Sequence, residues 1–158
     1  MSEQQTEFNS NGGPVRTVKL RIGSRREFLD SVHTLSEHLI EEVGFAADDI
    51  YWMVTAVREA VTNAVIHGNK EQPGTRVDVV FELADDCIRI TVADQGEGFD
   101  PESLPDPVSK ENLMDASGRG VFLMHQLMDE VTYDFPESGG TTLAMMKRRN
   151  TEAESAEG

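Results

Sequence analysis

The apolar residues recur with two different periods, and the switches between them divide the chain into elements. "VRTVKLRI" places Val18, Leu20 and Ile22 at alternate positions, which predicts a strand. From Phe28 the spacing becomes helical: Phe28, Leu29, Val32, Leu35, Leu39 and Ile40 share a face. Ser24 stands where a capping hydroxyl is needed, and Gly44 where that helix should end. Asp48 and Asp49 open a second helix, with acids at its positive end. Its stripe is Ile50, Met53, Val54, Val57, Val61 and Val65, with Gly68 as its stop. Alternation resumes in "RVDVVFEL" and "CIRITVAD", two strands joined through "ADD" as a hairpin. Residues 95–118 are rich in Gly, Pro, Asp and Ser and predict a long loop. "VFLMHQLMDEV" predicts a short helix, and "VTYDF" and "TTLAMMK" flank "PESGG" as a second hairpin. This order predicts an α+β two-layer sandwich, with helices on one face of a mixed, mostly antiparallel sheet.

Composition narrows the picture. A chain of 158 residues suits a single domain with a real core. Residues 1–14 and 150–158 are polar or acidic and predict disordered tails around a domain spanning 15–149. The net charge of −15 argues against direct nucleic-acid binding, which requires Lys and Arg to neutralise phosphates. Acidity keeps a protein soluble, and it also favours a partner with a basic patch. Cys87 is the only cysteine, so no internal disulfide forms; its apolar setting makes it a small core residue. The polar start has no signal-peptide core, and no apolar run reaches the length of a membrane span. A reducing, cytoplasmic setting and no membrane partner are expected.

Three segments carry chemistry. In "REAVTNAVIHGN", Glu59, Asn63 and His67 stand at steps of four, so a helix points all three the same way. Asn63 offers a neutral oxygen to a hard, hydrated cation, and Glu59 could accept a proton from a nucleophile. His67 also reads as a local hydrogen bonder. The flanking Ala60, Val61, Ala64, Val65 and Ile66 weaken the idea of a merely solvated stripe. In "ADQGEGFDP", Asp94 keeps the parity of Ile88, Ile90 and Val92, so a regular strand turns its carboxylate to the buried side. Such a group needs a partner. Gly96 and Gly98 allow a close approach to a flat ligand, although a strand-ending Asx turn shows the same pattern. In "SGRGVFLM", Gly118 and Gly120 precede a helix start, where free N–H groups attract anions; a plain hinge reads the same.

Taken in order, these segments resemble the GHKL superfamily, whose Bergerat fold binds ATP. "EAVTNAVIHGN", "DQGEGFDP" and "GRGVFLMHQLMDEV" look closest to its anti-sigma factor serine kinases, the regulators of bacterial partner switching. The resemblance covers residues 15 to 148 or so. It implies that Asn63 holds Mg²⁺ and that Glu59 is the general base. It also implies that Asp94 reads the adenine amino group, with Gly96 and Gly98 shaping the base pocket and Thr141 supporting the contact. Gly118 and Gly120 would lie over the phosphates. The implied function is an ATP-dependent serine-protein kinase that phosphorylates a small antagonist protein and sequesters a sigma factor. The family often forms homodimers. Two other readings stand beside it: an ATP-binding module without transfer activity, and the catalytic domain of a sensor histidine kinase. The latter needs a dimerising helix pair with a phospho-acceptor His, which 14 polar residues before the first strand do not supply.

Overall fold

A computed structural model of the chain describes residues 13–96, 122 and 124–150. Strand β1 (Arg16–Gly23) leads through a short 3₁₀ turn, Arg26–Phe28, into helix α1 (Leu29–Val43) and then α2 (Ala47–Asn63). Strands β2 (Arg76–Leu83), β3 (Cys87–Ala93), β4 (Glu130–Asp134) and β5 (Thr142–Arg148) follow. Residues 124–127 are helical, within the short helix expected there. The expected tails, the part of the long loop beyond Gly96, and the start of that short helix lie outside the described residues.

The five strands lie in the order β1-β2-β3-β5-β4. All four pairings are antiparallel. Alternation decides which face is buried. Leu20 pairs with Val79, Val79 with Val92, and Val92 with Leu143, so one inward row crosses four strands. Phe81, Ile90 and Met145 form the next row. Onto this face the helices set Val32, Leu39, Ile40, Met53, Val57, Val61 and Val65, all buried. Each large side chain sealed there contributes about 1.5–3 kcal/mol from the hydrophobic effect. The opposite face is polar, and its Arg89 and Glu82 pair at 2.7 Å.

Two helix ends differ in their physics from expectation. Gly44 does cap α1, with φ 96°, the left-handed region that glycine enters without strain. Ser24 does not cap α1. Its hydroxyl, buried, accepts hydrogen bonds from Asn69 Nδ2 at 2.8 Å and Thr75 Oγ1 at 2.7 Å. Gly68 does not stop α2 by a left-handed turn either, since its φ is not positive. Instead the helix widens into a π-helical turn over Ala64–Gly68, closed by Asn69 N–H on the Ala64 carbonyl at 2.8 Å. Such wide turns are frequent at functional sites. Cys87 is fully buried, in a small cluster with Ala84 and Met146, beside the main core. Burial pushes its thiol up to about 11, so it is unreactive at neutral pH. Among the described residues no helix is long and apolar enough to cross a membrane.

Candidate functional site

The row on α2 forms as its spacing requires. Glu59 and Asn63 are half-buried and His67 is exposed. Burial raises the Glu59 carboxyl above the ordinary glutamate value. The Asn63 amide one turn on and the His67 imidazole pull the other way without cancelling it. A carboxylate that prefers its proton more than usual is a better proton acceptor. Low dielectric on one side and solvent on the other produce that state.

The Asp94 end is assembled from three chain segments. Its carboxylate lies just past β3, on the helix side of the sheet, against Gly68. Gly96 N–H and Thr141 N–H both donate to its Oδ1, at 3.0 and 3.1 Å. The Asp94 N–H returns a bond to the Thr141 carbonyl at 3.0 Å. Among the described residues no hydrogen bond reaches Oδ2. Burial raises the Asp94 carboxyl above its usual range, and the Gly96 and Thr141 bonds oppose the rise. Side chains are excluded around it by contact. A Cβ on Gly68 would strike the Asp94 carboxylate, and one on Gly96 would strike the Gly68 carbonyl. Gly140 has φ +85°, and a Cβ there would strike the Asp94 carbonyl. Gly68 and Gly140 therefore close on the acid and Gly96 on Gly68; the sequence pattern singles out Gly96 and Gly98 for close approach, and neither Gly68 nor Gly140.

A further group, Asn69, went unnoticed in the sequence. It is 3 % exposed and uses its whole side chain. Its Nδ2 donates to Ser24 Oγ at 2.8 Å and to the Arg76 carbonyl at 2.9 Å. Its Oδ1 accepts from the Gln95 N–H at 2.7 Å. Gln95 Oε1 in turn accepts from the Arg76 N–H at 2.7 Å. The strap after it turns through Lys70 and Glu71, both left-handed at φ 54°, and Arg26 clamps Glu71 with bonds of 2.9 and 3.2 Å. No periodicity marks Asn69. The one available signal was an uncharged amide directly after Gly68, at the end of a helix.

Thus Glu59 and Asn63 stand on α2, and Asp94, Gly96 and Thr141 meet where α2 ends. Gly98, Gly118 and Gly120 lie outside the described residues. No group of three or more His, Cys, Asp or Glu side chains that could hold a metal occurs among the described residues. A cation held here would rest on few protein ligands, chiefly the neutral Asn63 oxygen. That donor set fits Mg²⁺, which keeps several waters and takes the rest of its shell from phosphates.

Comparisons with known proteins identify the family and the fold. Residues 26–147 match the family described as Histidine kinase-like ATPase domain. The chain is 34% identical over 137 residues to Serine-protein kinase RsbW of Staphylococcus epidermidis, covering 82% of this chain and 85% of that one. Serine-protein kinase RsbW of Staphylococcus aureus matches to the same degree. Among solved structures, the RsbU and RsbW domains of Rv1364c from Mycobacterium tuberculosis superpose with a TM-score of 0.59 at 20% identity, over 85% of this chain. This chain spans only 32% of that longer one. The catalytic domain of histidine kinase ThkA gives a TM-score of 0.54 at 14% identity, over 85% of this chain and 98% of that one. At those identities the two structures establish the shared fold.

Proposed function

The chain belongs to the histidine kinase-like ATPase domain family, and on that premise we propose that it is a cytoplasmic, ATP-dependent serine-protein kinase and anti-sigma factor. The domain is residues 15–149. The observation that carries the reading is the pairing of Glu59 and Asn63 on one helix that ends against the Asp94 carboxylate. A metal-binding amide and a proton acceptor at one end, and a base-reading acid at the other, are the needs of phosphoryl transfer from ATP.

Asp94 receives the adenine amino group, with Gly96, Gly98 and Thr141 around the base. Gly118 and Gly120 would serve the phosphates. Asn63 would hold Mg²⁺, which when bound neutralises phosphate charge. Glu59 takes the proton of the acceptor serine as its Oγ bonds to the γ-phosphorus and the bond to the β-phosphate oxygen breaks, leaving ADP. Catalysis of this kind rests on positioning and charge, more than on covalent chemistry. With ATP the protein holds a sigma factor or phosphorylates a serine on a small antagonist protein. With ADP it holds the dephosphorylated antagonist.

The name of the Staphylococcus relatives supports the kinase reading, and the raised Glu59 carboxyl supports it independently. The test is transfer of radiolabelled γ-phosphate from ATP to the antagonist encoded beside this protein. Labelled phosphoserine on the antagonist is the expected result. Tight binding of ATP and a sigma factor with no transfer would instead establish a nucleotide-gated binding module.

A further inference from the structure

We infer that Asn69 is a positioning residue for adenine recognition, acting on Asp94 through the Gln95 peptide. The inference rests on the reading of Asp94 as the adenine acceptor. The two peptides that flank the Asp94 side chain are each held by a hydrogen bond. On one side the Asp94 N–H bonds the Thr141 carbonyl at 3.0 Å. On the other the Gln95 N–H bonds Asn69 Oδ1 at 2.7 Å. Gly68 closes on the Asp94 carboxylate and Gly140 on the Asp94 carbonyl, while the N–H of the same Asp94–Gln95 peptide is held by the Asn69 side chain. Asn69 is therefore the side chain that orients the peptide immediately after the base-reading acid.

Its own orientation is set without freedom. Both Nδ2 bonds, to Ser24 and to Arg76, fix the amide plane, so Oδ1 can face only Gln95. Burial to 3 % exposure excludes water as a substitute acceptor. The Gln95 side chain closes the circuit on the Arg76 N–H, so β2, the end of α2 and the turn after β3 move as one piece. A base-binding carboxylate that must meet a planar donor edge-on requires this, because a hydrogen bond loses strength steeply with angle.

A merely structural asparagine would weaken all ligands together, and the test separates the two. Binding of ADP and of purine riboside diphosphate, which lacks the 6-amino group, is measured by calorimetry for the wild type, Asn69→Ala and Ser24→Ala. Wild type should prefer ADP. Asn69→Ala should weaken ADP by about tenfold while changing the analogue by less than about twofold, because the lost interaction is made only to the amino group. Ser24→Ala removes one of the two Nδ2 bonds and leaves those to Arg76 and Gln95, so it should reduce the preference less than Asn69→Ala does. If Asn69→Ala does not stay folded, Asn69→Asp keeps an oxygen for the Gln95 N–H and should still prefer ADP. Equal weakening of both ligands in Asn69→Ala, or loss of the preference in Asn69→Asp, overturns the role of Asn69. A wild type that binds ADP and the analogue equally overturns the adenine reading of Asp94, and this inference with it.

Discussion

The two ends of the proposed nucleotide site are built on opposite plans. At the Asp94 end the polar atoms are tied to backbone: two N–H groups on Oδ1, three glycines in contact, and the Asn69 circuit behind. At the Glu59 end the side chains stand on a half-buried helix face, and among the described residues no backbone group holds the Glu59 carboxyl, whose neighbour is the Asn63 amide one turn away. Reading a base demands fixed geometry, so its binding loses little freedom. Delivering a proton acceptor to an incoming protein demands an accessible group whose protonation can change. Both acids have raised carboxyl values from burial, but Asp94 is bonded to backbone donors whereas Glu59 has a side-chain neighbour, Asn63.

Substitutions can break this contrast, and the largest effect belongs to the open end. Glu59→Gln keeps the shape and removes the proton acceptor. Phosphate transfer should fall by about 10²–10⁴-fold, with ADP affinity unchanged in calorimetry. At the fixed end, Asp94→Asn replaces a charge-assisted hydrogen bond. ADP should bind more weakly by about 1.5–3 kcal/mol, or roughly 10- to 150-fold, with the preference for ADP over GDP reduced. Gly140→Ala would force a side chain into φ +85° against the Asp94 carbonyl. A loss of about 1–3 kcal/mol of stability should appear as a clear fall in the thermal midpoint, together with weaker ADP binding.

Two smaller effects follow from the Glu59 carboxyl alone. Its raised value places the acid limb of the pH–rate profile above the ordinary glutamate range, and Glu59→Gln should lose that limb. A limb at the ordinary value would mean that the acid is solvated when ATP is bound. The sign for stability runs the other way. A folded-state value that is raised favours the protonated form, so the stabilisation is present at low pH and lost as pH rises through it. At neutral pH the ionised Glu59 is a cost, reduced by its partial exposure to solvent. Glu59→Gln should therefore raise the thermal midpoint slightly at pH 7, and the gain should vanish as pH falls below the ordinary glutamate range.

Local physics determined a good deal of this molecule. The period of 3.6 alone put Glu59, Asn63 and His67 on one face, and strand parity alone turned Asp94 inward with Ile90 and Val92. Gly44 as a left-handed cap, the hairpin turn between Leu83 and Cys87 and the helical stripes needed only near neighbours in the chain. What escaped the sequence depends on residues far apart. Ser24 looked like a cap because serine before a helical run usually is one, but Asn69, 45 positions later, claims its hydroxyl. Gly68 looked like a helix stop because that is a common use of glycine at such a place, whereas here it makes room for Asp94. Thr141 meets Asp94 across 47 positions, and Asn69 meets Gln95 across 26. Which strand lies beside which, with β5 between β3 and β4, was likewise decided by pairing at a distance. Periodicity records what each residue wants from its nearest turn or pleat; a hydrogen bond between distant segments leaves no period, and only the packed chain brings its two ends together.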